Sequence, residues 1–261
     1  MTQLQPRKNA DLPTRTLVGL ALIAVAATAL WFGGFAFWLL VTIAGLIMMH
    51  EWAGLHGATP TQKRLAQYAL MVPLAIMAPI AAGPSFLALG LIVGAAFFLA
   101  IVTRNGMLGM GAAYVGVPIL ALVMLRDEPD GRLLAFWAMA LVWACDIGAY
   151  FAGRTFGGPR LMPAVSPNKT WAGLFGGVLG AGLFGLALTQ WGLPWPLAFV
   201  SPILAVLAQA GDLYESWLKR RASVKDSGTL LPGHGGVLDR LDGLVPVAPV
   251  AALLVILLAA R

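Results

Sequence analysis

Six of the eleven carboxylates in this 261-residue chain stand where they could do chemistry: Asp146, Asp212, Glu215, Asp226, Asp239 and Asp242. On a helix, Asp212, Ser216 and Lys219 recur at i, i+4 and i+7, so an acid, a hydroxyl and an ammonium share one face. Asp146 and Tyr150 repeat the i, i+4 spacing near the end of another apolar run. Asp239 and Asp242 lie three apart and, if helical, project to one side, where hard oxygen ligands can share a divalent cation. Between the acidic groups run Lys219, Arg220, Arg221 and Lys225, then the turn Pro232-Gly233-His234-Gly235-Gly236. Cationic side chains and close-approaching backbone amides are what a chain of phosphates requires. A cation held beside them neutralises charge during displacement at phosphorus. The pattern therefore reads as metal-assisted phosphoryl chemistry.

Each feature has a plainer reading. The basic run alone would mark membrane topology and attraction to anionic headgroups. The glycine turn lacks the G-x-x-x-x-G-K-[ST] spacing of a nucleotide-binding P-loop. His234 fits a general base, a hydrogen-bond donor to phosphate or a turn residue, and the first role is the weakest because a phosphate nucleophile is already anionic. Ser166-Pro167-Asn168-Lys169-Thr170 offers a hydroxyl, an amide and a cation at the opening of the next helix, whose N-terminus favours anions. Asp127, Glu128 and Asp130 read as a solvated turn, Asp11 as the end of a span, and Glu51, between His50 and Trp52, as interfacial rather than catalytic.

The elements that must position these residues are set by composition. Hydrophobic residues make up 59% of the chain and charged ones 11%, where a soluble domain carries about a quarter charged. The apolar residues come in runs near 20 long, the length that crosses about 30 Å of hydrocarbon. Continuous rather than alternating runs exclude a closed barrel and leave helices, which satisfy their own backbone groups in lipid. The chain is therefore expected to be all-α and polytopic, with about nine spans near residues 16–33, 35–50, 66–82, 84–103, 107–125, 132–152, 171–191, 194–214 and 244–260. The first run lacks a small-residue cleavage pattern at Trp31-Phe32-Gly33 and reads as a retained span rather than a signal peptide. Cys145, the single cysteine, excludes an intramolecular disulfide and a zinc site built on cysteines.

Lys and Arg orient the spans. Fourteen fall on one side (Arg7, Lys8, Arg15, Lys63, Arg64, Arg104, Arg154, Arg160, Lys169, Lys219, Arg220, Arg221, Lys225 and Arg240) and three on the other (Arg126, Arg132 and Arg261). The crowded side, with the N-terminus, is predicted to be cytoplasmic. The net charge of +6 thus sets topology rather than marking a nucleic-acid surface. Residues 1–130 are expected to form a scaffold of about five spans with a lipid groove. Residues 131–261 are expected to carry the catalytic region, its active-site segments being 153–170 and 212–243 on the cytoplasmic face.

The residues from Ser216-Trp217-Leu218-Lys219-Arg220 through Lys225-Asp226 and Pro232-Gly233-His234-Gly235-Gly236 to Asp239-Arg240-Leu241-Asp242 resemble the signature of the phosphatidate cytidylyltransferase family, also called CDP-diacylglycerol synthases. The likeness extends outward through Gly211-Asp212-Leu213, Asp146, Tyr150, Gly153, Arg154, Phe156 and Gly157 to the box at 166–170. It covers about 146–243 well, while the N-terminal half matches only as a basic tail and apolar spans. Ala172 departs from the acidic or amide side chain the family often carries after S-P-x-K-T-W. The resemblance implies a reaction of CTP with phosphatidic acid to give CDP-diacylglycerol and pyrophosphate, dependent on Mg²⁺ and open to a second cation. It implies Asp212, Asp239 and Asp242, with Asp146 beside them, as metal ligands. Ser216, Lys219, Arg220, Lys225, Asp226 and His234 would be catalytic, and Ser166, Asn168, Lys169, Thr170, Gly235, Gly236 and Arg240 would hold phosphate. Its partners would be the two substrates, membrane lipids and, as one assembly, a second copy of the chain, at the inner membrane.

Two other readings explain part of the pattern. A CTP-dependent lipid kinase acting on a polyprenol or diacylglycerol needs the same groove and triphosphate site, and a transporter would use Asp146 and Asp212 as intramembrane ion sites. A CDP-alcohol phosphotransferase fits less well, because Asp242-Gly243 runs on into Leu244-Val245-Pro246 rather than D-G-x-x-A-R.

Overall fold

The computed structural model describes residues 12–231, 233 and 235–259, with side chains from residue 16 onward. Ten helices appear among these residues: α1 (Leu12–Phe32), α2 (Gly34–Leu55), α3 (Pro60–Ile76), α4 (Phe86–Thr103), α5 (Gly106–Asp127), α6 (Gly131–Phe156), α7 (Trp171–Leu188), α8 (Trp195–Arg221), α9 (Leu238–Leu241) and α10 (Leu244–Ala259). Six of them, α2, α4, α5, α6, α7 with the 3₁₀ turn that follows it, and α8, are long and apolar enough to cross a membrane. This is a helical membrane protein.

Local chemistry starts and stops these helices. Thr59 and Gln62 form a capping box ahead of Pro60 at the start of α3, satisfying amide donors that would otherwise be orphaned. Asn105 caps α5 through the Met107 amide and Thr170 caps α7 through the Gly173 amide. α3 begins earlier than the expected span at 66 and ends at Ile76 rather than 82, because the capping box lies upstream and Pro79 and Pro84 break the chain beyond it. Likewise α8 runs on to Arg221, so Asp212, Ser216 and Lys219 are helical as expected.

One element departs from the all-α expectation. Ser166–Thr170, just ahead of α7, forms a strand, β2, paired antiparallel with β1 (Arg160–Met162) through Arg160 opposite Thr170 and Met162 opposite Ser166. Pro167 disfavours helix for the residue before it, and Gly157 and Gly158, both at positive φ, turn the chain into the hairpin.

Packing is close because small residues face each other. A Cβ on Gly148 would stand 2.4 Å from the Gly176 carbonyl oxygen, and one on Gly176 would stand 2.2 Å from Ala152 Cβ, so α6 and α7 touch backbone to backbone. Indoles are pinned by hydrogen bonds: buried Trp52 donates to the Met107 carbonyl (2.7 Å), half-buried Trp38 to the Leu74 carbonyl (2.8 Å) and buried Trp137 to the Ser201 hydroxyl (2.9 Å). At one end of the bundle, Arg126 Nε caps α1 through the Leu30 carbonyl at 2.9 Å. At the other end the C-terminal ends of α2 and α8 meet β2, α9 and the start of α10.

Candidate active site

The glycine turn closes on the protein's own carboxylates. Asp239 Oδ2 accepts the Gly236 amide (2.7 Å), the Ser227 amide (2.9 Å) and the Ser227 hydroxyl (3.0 Å). Gly235 sits at φ +80, and a Cβ there would lie 2.6 Å from that same oxygen. Asp239 Oδ1 receives Lys219 Nζ at 2.6 Å. Burial by itself would push the Asp239 carboxyl up; Lys219 and the amides more than offset it and hold the group below the ordinary carboxylate range.

Lys219 is shared with Glu215, whose Oε2 lies 2.5 Å away at i, i+4. Glu215 is wholly buried, and neither of its oxygens has a hydrogen bond of standard geometry, so this contact is an ion pair rather than a hydrogen bond. The shared face expected for Asp212, Ser216 and Lys219 is thus divided. Ser216 Oγ donates to Asp212 Oδ1 at 3.3 Å, but Asp212 takes its cation from Lys169, at 2.6 Å across from β2. Gln209 Oε1 accepts from the same ammonium at 2.9 Å.

Asp239 and Asp242 also engage different partners. Asp242 is the residue after α9 and accepts the Gly243 amide at 2.8 Å. Burial first, and the charge of Asp212 next, push its carboxyl up to about 7. Asp146 lies within electrostatic reach of Asp212, Lys169 and Arg240. α8 can come this close only because residue 211 is glycine: a Cβ there would stand 2.4 Å from the Asp242 carbonyl oxygen. Asp146, Asp212 and Asp242 are hard anionic donors brought close together, and the charges of the first two help to raise the Asp242 carboxyl, a set that suits a divalent cation. Among the described residues no three His, Cys, Asp or Glu side chains form a preformed metal cage. Mg²⁺ fits such a site, since it commonly takes one or two carboxylates and completes its shell from substrate phosphates and water.

The other expected residues are distributed around this centre. Arg220 Nε donates to the Val165 carbonyl at 3.5 Å, tying α8 to the hairpin. Thr170 is buried and spends its hydroxyl on the α7 cap. Asn168, Lys225, Asp226 and Arg240 are exposed and Ser166 is half-buried. Asp226 does not position Lys219, whose partners are Glu215 and Asp239. Nor do Asp146 and Tyr150 pair, since the Tyr150 hydroxyl accepts from Arg154 Nη1 at 2.9 Å. His234 lies outside the described residues.

Two carboxylates matter more than the sequence suggested. Glu215 supports Lys219 from beneath. Glu51 is only 5% exposed; its Oε1 accepts the Val237 amide (2.9 Å), and its Oε2 accepts the Leu238 amide (2.7 Å) and the Ser227 hydroxyl (3.3 Å). Its own helix carries no cation at the neighbouring i±3 and i±4 positions, Ile47, Met48, Gly54 and Leu55. That absence is the signal that its partners lie elsewhere.

A bundle of apolar helices that gathers carboxylates and ammonium groups at one end defines a helical membrane protein with a polar site at one end of the bundle. The chain matches the family model described as the cytidylyltransferase family over residues 13–258. It is 39% identical over 250 residues to the phosphatidate cytidylyltransferases of Brucella suis biovar 1 and Brucella melitensis biotype 1, covering 91% of this chain and 91% of each relative. It is 36% identical over 201 residues to the phosphatidate cytidylyltransferase of Rickettsia felis, covering 72% of this chain and 88% of the relative. The chain belongs to the cytidylyltransferase family. The likeness extends through the N-terminal helices, where the sequence by itself offered only a basic tail and apolar runs.

Proposed function

We propose that this protein transfers the cytidylyl group of CTP to phosphatidic acid, releasing pyrophosphate and leaving CDP-diacylglycerol in the membrane. Carrying this reading is the likeness to phosphatidate cytidylyltransferases over nine-tenths of both chains, with the motif residues drawn to one end of the bundle. The reaction is in-line attack of a lipid phosphate oxygen on the α-phosphorus of CTP. Both reactants are anionic, so the main requirement is positive charge fixed where negative charge gathers.

Asp212 and Asp242, with Asp146 beside them, are the residues that would hold Mg²⁺, which when bound supplies charge neutralisation at the phosphates. Asp239 serves better as an anchor: three donors saturate one oxygen and Lys219 holds the other. Lys169, Arg220, Lys225 and Arg240 would bind the triphosphate and the lipid phosphate, with Ser166, Asn168 and Ser216 as hydrogen-bond partners. Lys219 contributes from a fixed position between Glu215 and Asp239. Gly235 and Gly236 act chiefly by letting the turn close, since the Gly236 amide is committed to Asp239.

Over the nine apolar runs, the 14-to-3 distribution of basic residues supports a cytoplasmic N-terminus and a site facing the cytoplasm, and residence in the inner membrane is part of the same proposal. Residues 131–261 supply the cations and most of the acids, and residues 1–130 supply scaffold and Glu51. Purified protein in lipid micelles with labelled CTP, phosphatidic acid and Mg²⁺ is expected to yield CDP-diacylglycerol and pyrophosphate in equal amounts, only when both substrates are present. Release of CDP with diacylglycerol or a polyprenol would select a lipid kinase instead, and absence of turnover with every lipid acceptor would revive the transporter.

A further inference from the structure

Glu51 sits on α2, 176 to 187 positions before the motif residues that its carboxylate touches. It is nearly buried, carries a formal charge, and has no ion-pair partner at 4.0 Å or less among the described residues; its carboxylate is met instead by two amides and a hydroxyl from 227–238. Two glycines exist to admit it: a Cβ on Gly228 or on Gly236 would stand 2.6 Å from Glu51 Oε1. Ser227 Oγ bridges Glu51 Oε2 at 3.3 Å and Asp239 Oδ2 at 3.0 Å, so the carboxylate from α2 and the anchor of Lys219 share one hydroxyl. The end of α2 is itself fixed, through Trp52 Nε1 on the Met107 carbonyl and through Gly111, where a Cβ would stand 2.3 Å from the Trp52 ring.

We infer that Glu51 is a positioning residue of the nucleotidyl-transfer site: it clamps the turn 227–238 to the N-terminal bundle and so fixes Asp239, and through it Lys219, in their working places. Beside the loop's own Leu231–Gly235 backbone bond, the Glu51 carboxylate satisfies the Val237 and Leu238 amides and the Ser227 hydroxyl, donors on both sides of the glycines. The pattern explains why two glycines flank the same oxygen. This role rests on the cytidylyl-transfer reading, whereas the clamp itself does not.

The substitution that tests it is Glu51→Gln, which keeps volume but puts an NH₂ against either the Val237 amide or the Leu238 amide and Ser227 hydroxyl. In the full-length protein in detergent, backbone hydrogen exchange of 236–238 is expected to speed by about tenfold or more, while α5 and α6 are unchanged. In the same preparation kcat for pyrophosphate release is expected to fall by roughly ten- to a hundredfold, with KM for CTP within about threefold. Ser227→Ala is expected to cost less, and the double variant Glu51→Gln/Ser227→Ala less than the product of the two losses, because both act on one bridge. Unchanged exchange at 236–238 overturns the clamp whatever the activity. Faster exchange with unaltered kcat, or losses that multiply in the double variant, overturns the positioning role. If wild-type protein makes no CDP-diacylglycerol, the catalytic reading and the positioning role fall together, and the exchange result still reports on the clamp alone.

Discussion

Replacing Asp239 by Asn separates an anchor from a metal ligand. The substitution preserves shape but leaves one oxygen where there were two, and that oxygen must choose between Lys219 and the donors of Ser227 and Gly236. Whichever it chooses, the new NH₂ meets a donor. Asp239 is 4% exposed at its side chain and Lys219 14%, so solvent screens little of the loss. A hydrogen bond to a charged group contributes about 1.5–3 kcal/mol, and Lys219 keeps its contact with Glu215. A net loss of about 3 kcal/mol in fixing Lys219 corresponds to roughly two decades in rate at about 1.4 kcal/mol per decade. Initial rates of pyrophosphate release, measured across Mg²⁺ concentrations beside thermal unfolding, should show about a hundredfold fall with the Mg²⁺ optimum unmoved. A rate within about threefold of wild type would refute the coupling of Asp239 to catalysis, and a large shift of the Mg²⁺ optimum would return Asp239 to the metal shell.

Asp212→Asn should behave differently, raising the Mg²⁺ concentration for half-maximal rate by about tenfold or more as well as slowing turnover, since it removes a hard ligand charge; a titration curve that overlays wild type would remove Asp212 from the cation site. For Asp242, whose carboxyl is raised from 3.8 to about 7, the folded protein binds the proton more tightly than the unfolded chain. Its contribution to stability is therefore complete below 3.8 and lost as pH rises through about 7. The unfolding temperature in chelator should fall between pH 5 and pH 8, Mg²⁺ should restore it at pH 8, and Asp242→Asn should flatten the pH slope; a slope unchanged in that variant assigns the effect to another group. Reporter fusions after residues 15 and 261 should report opposite sides of the membrane, and same-side signals would require one span to be merged or split.

Much of this protein is dictated by local sequence. Runs of about 20 apolar residues with few charges can only be helices in lipid; each expected run contains a helix, six of them long and apolar enough to cross a membrane. Asp212 and Ser216 meet because i, i+4 spacing on any helix makes them meet. Family membership was legible in the C-terminal half because motif residues there are polar and sparse against an apolar background. Pairings across the fold followed no such spacing. Lys219 turned to Glu215 and Asp239 rather than to Asp212, whose cation is Lys169, brought in by the strand β2 that leads into α7. The glycine turn looked like a phosphate cradle, yet in three dimensions it wraps Glu51 and Asp239. Glu51 and Val237 are separated by 186 positions, a distance over which one sequence carries no periodicity. Helix spacing is a property of the backbone and is written in the chain, whereas the choice of partner for a buried charge depends on which donors the whole bundle brings within about 3 Å.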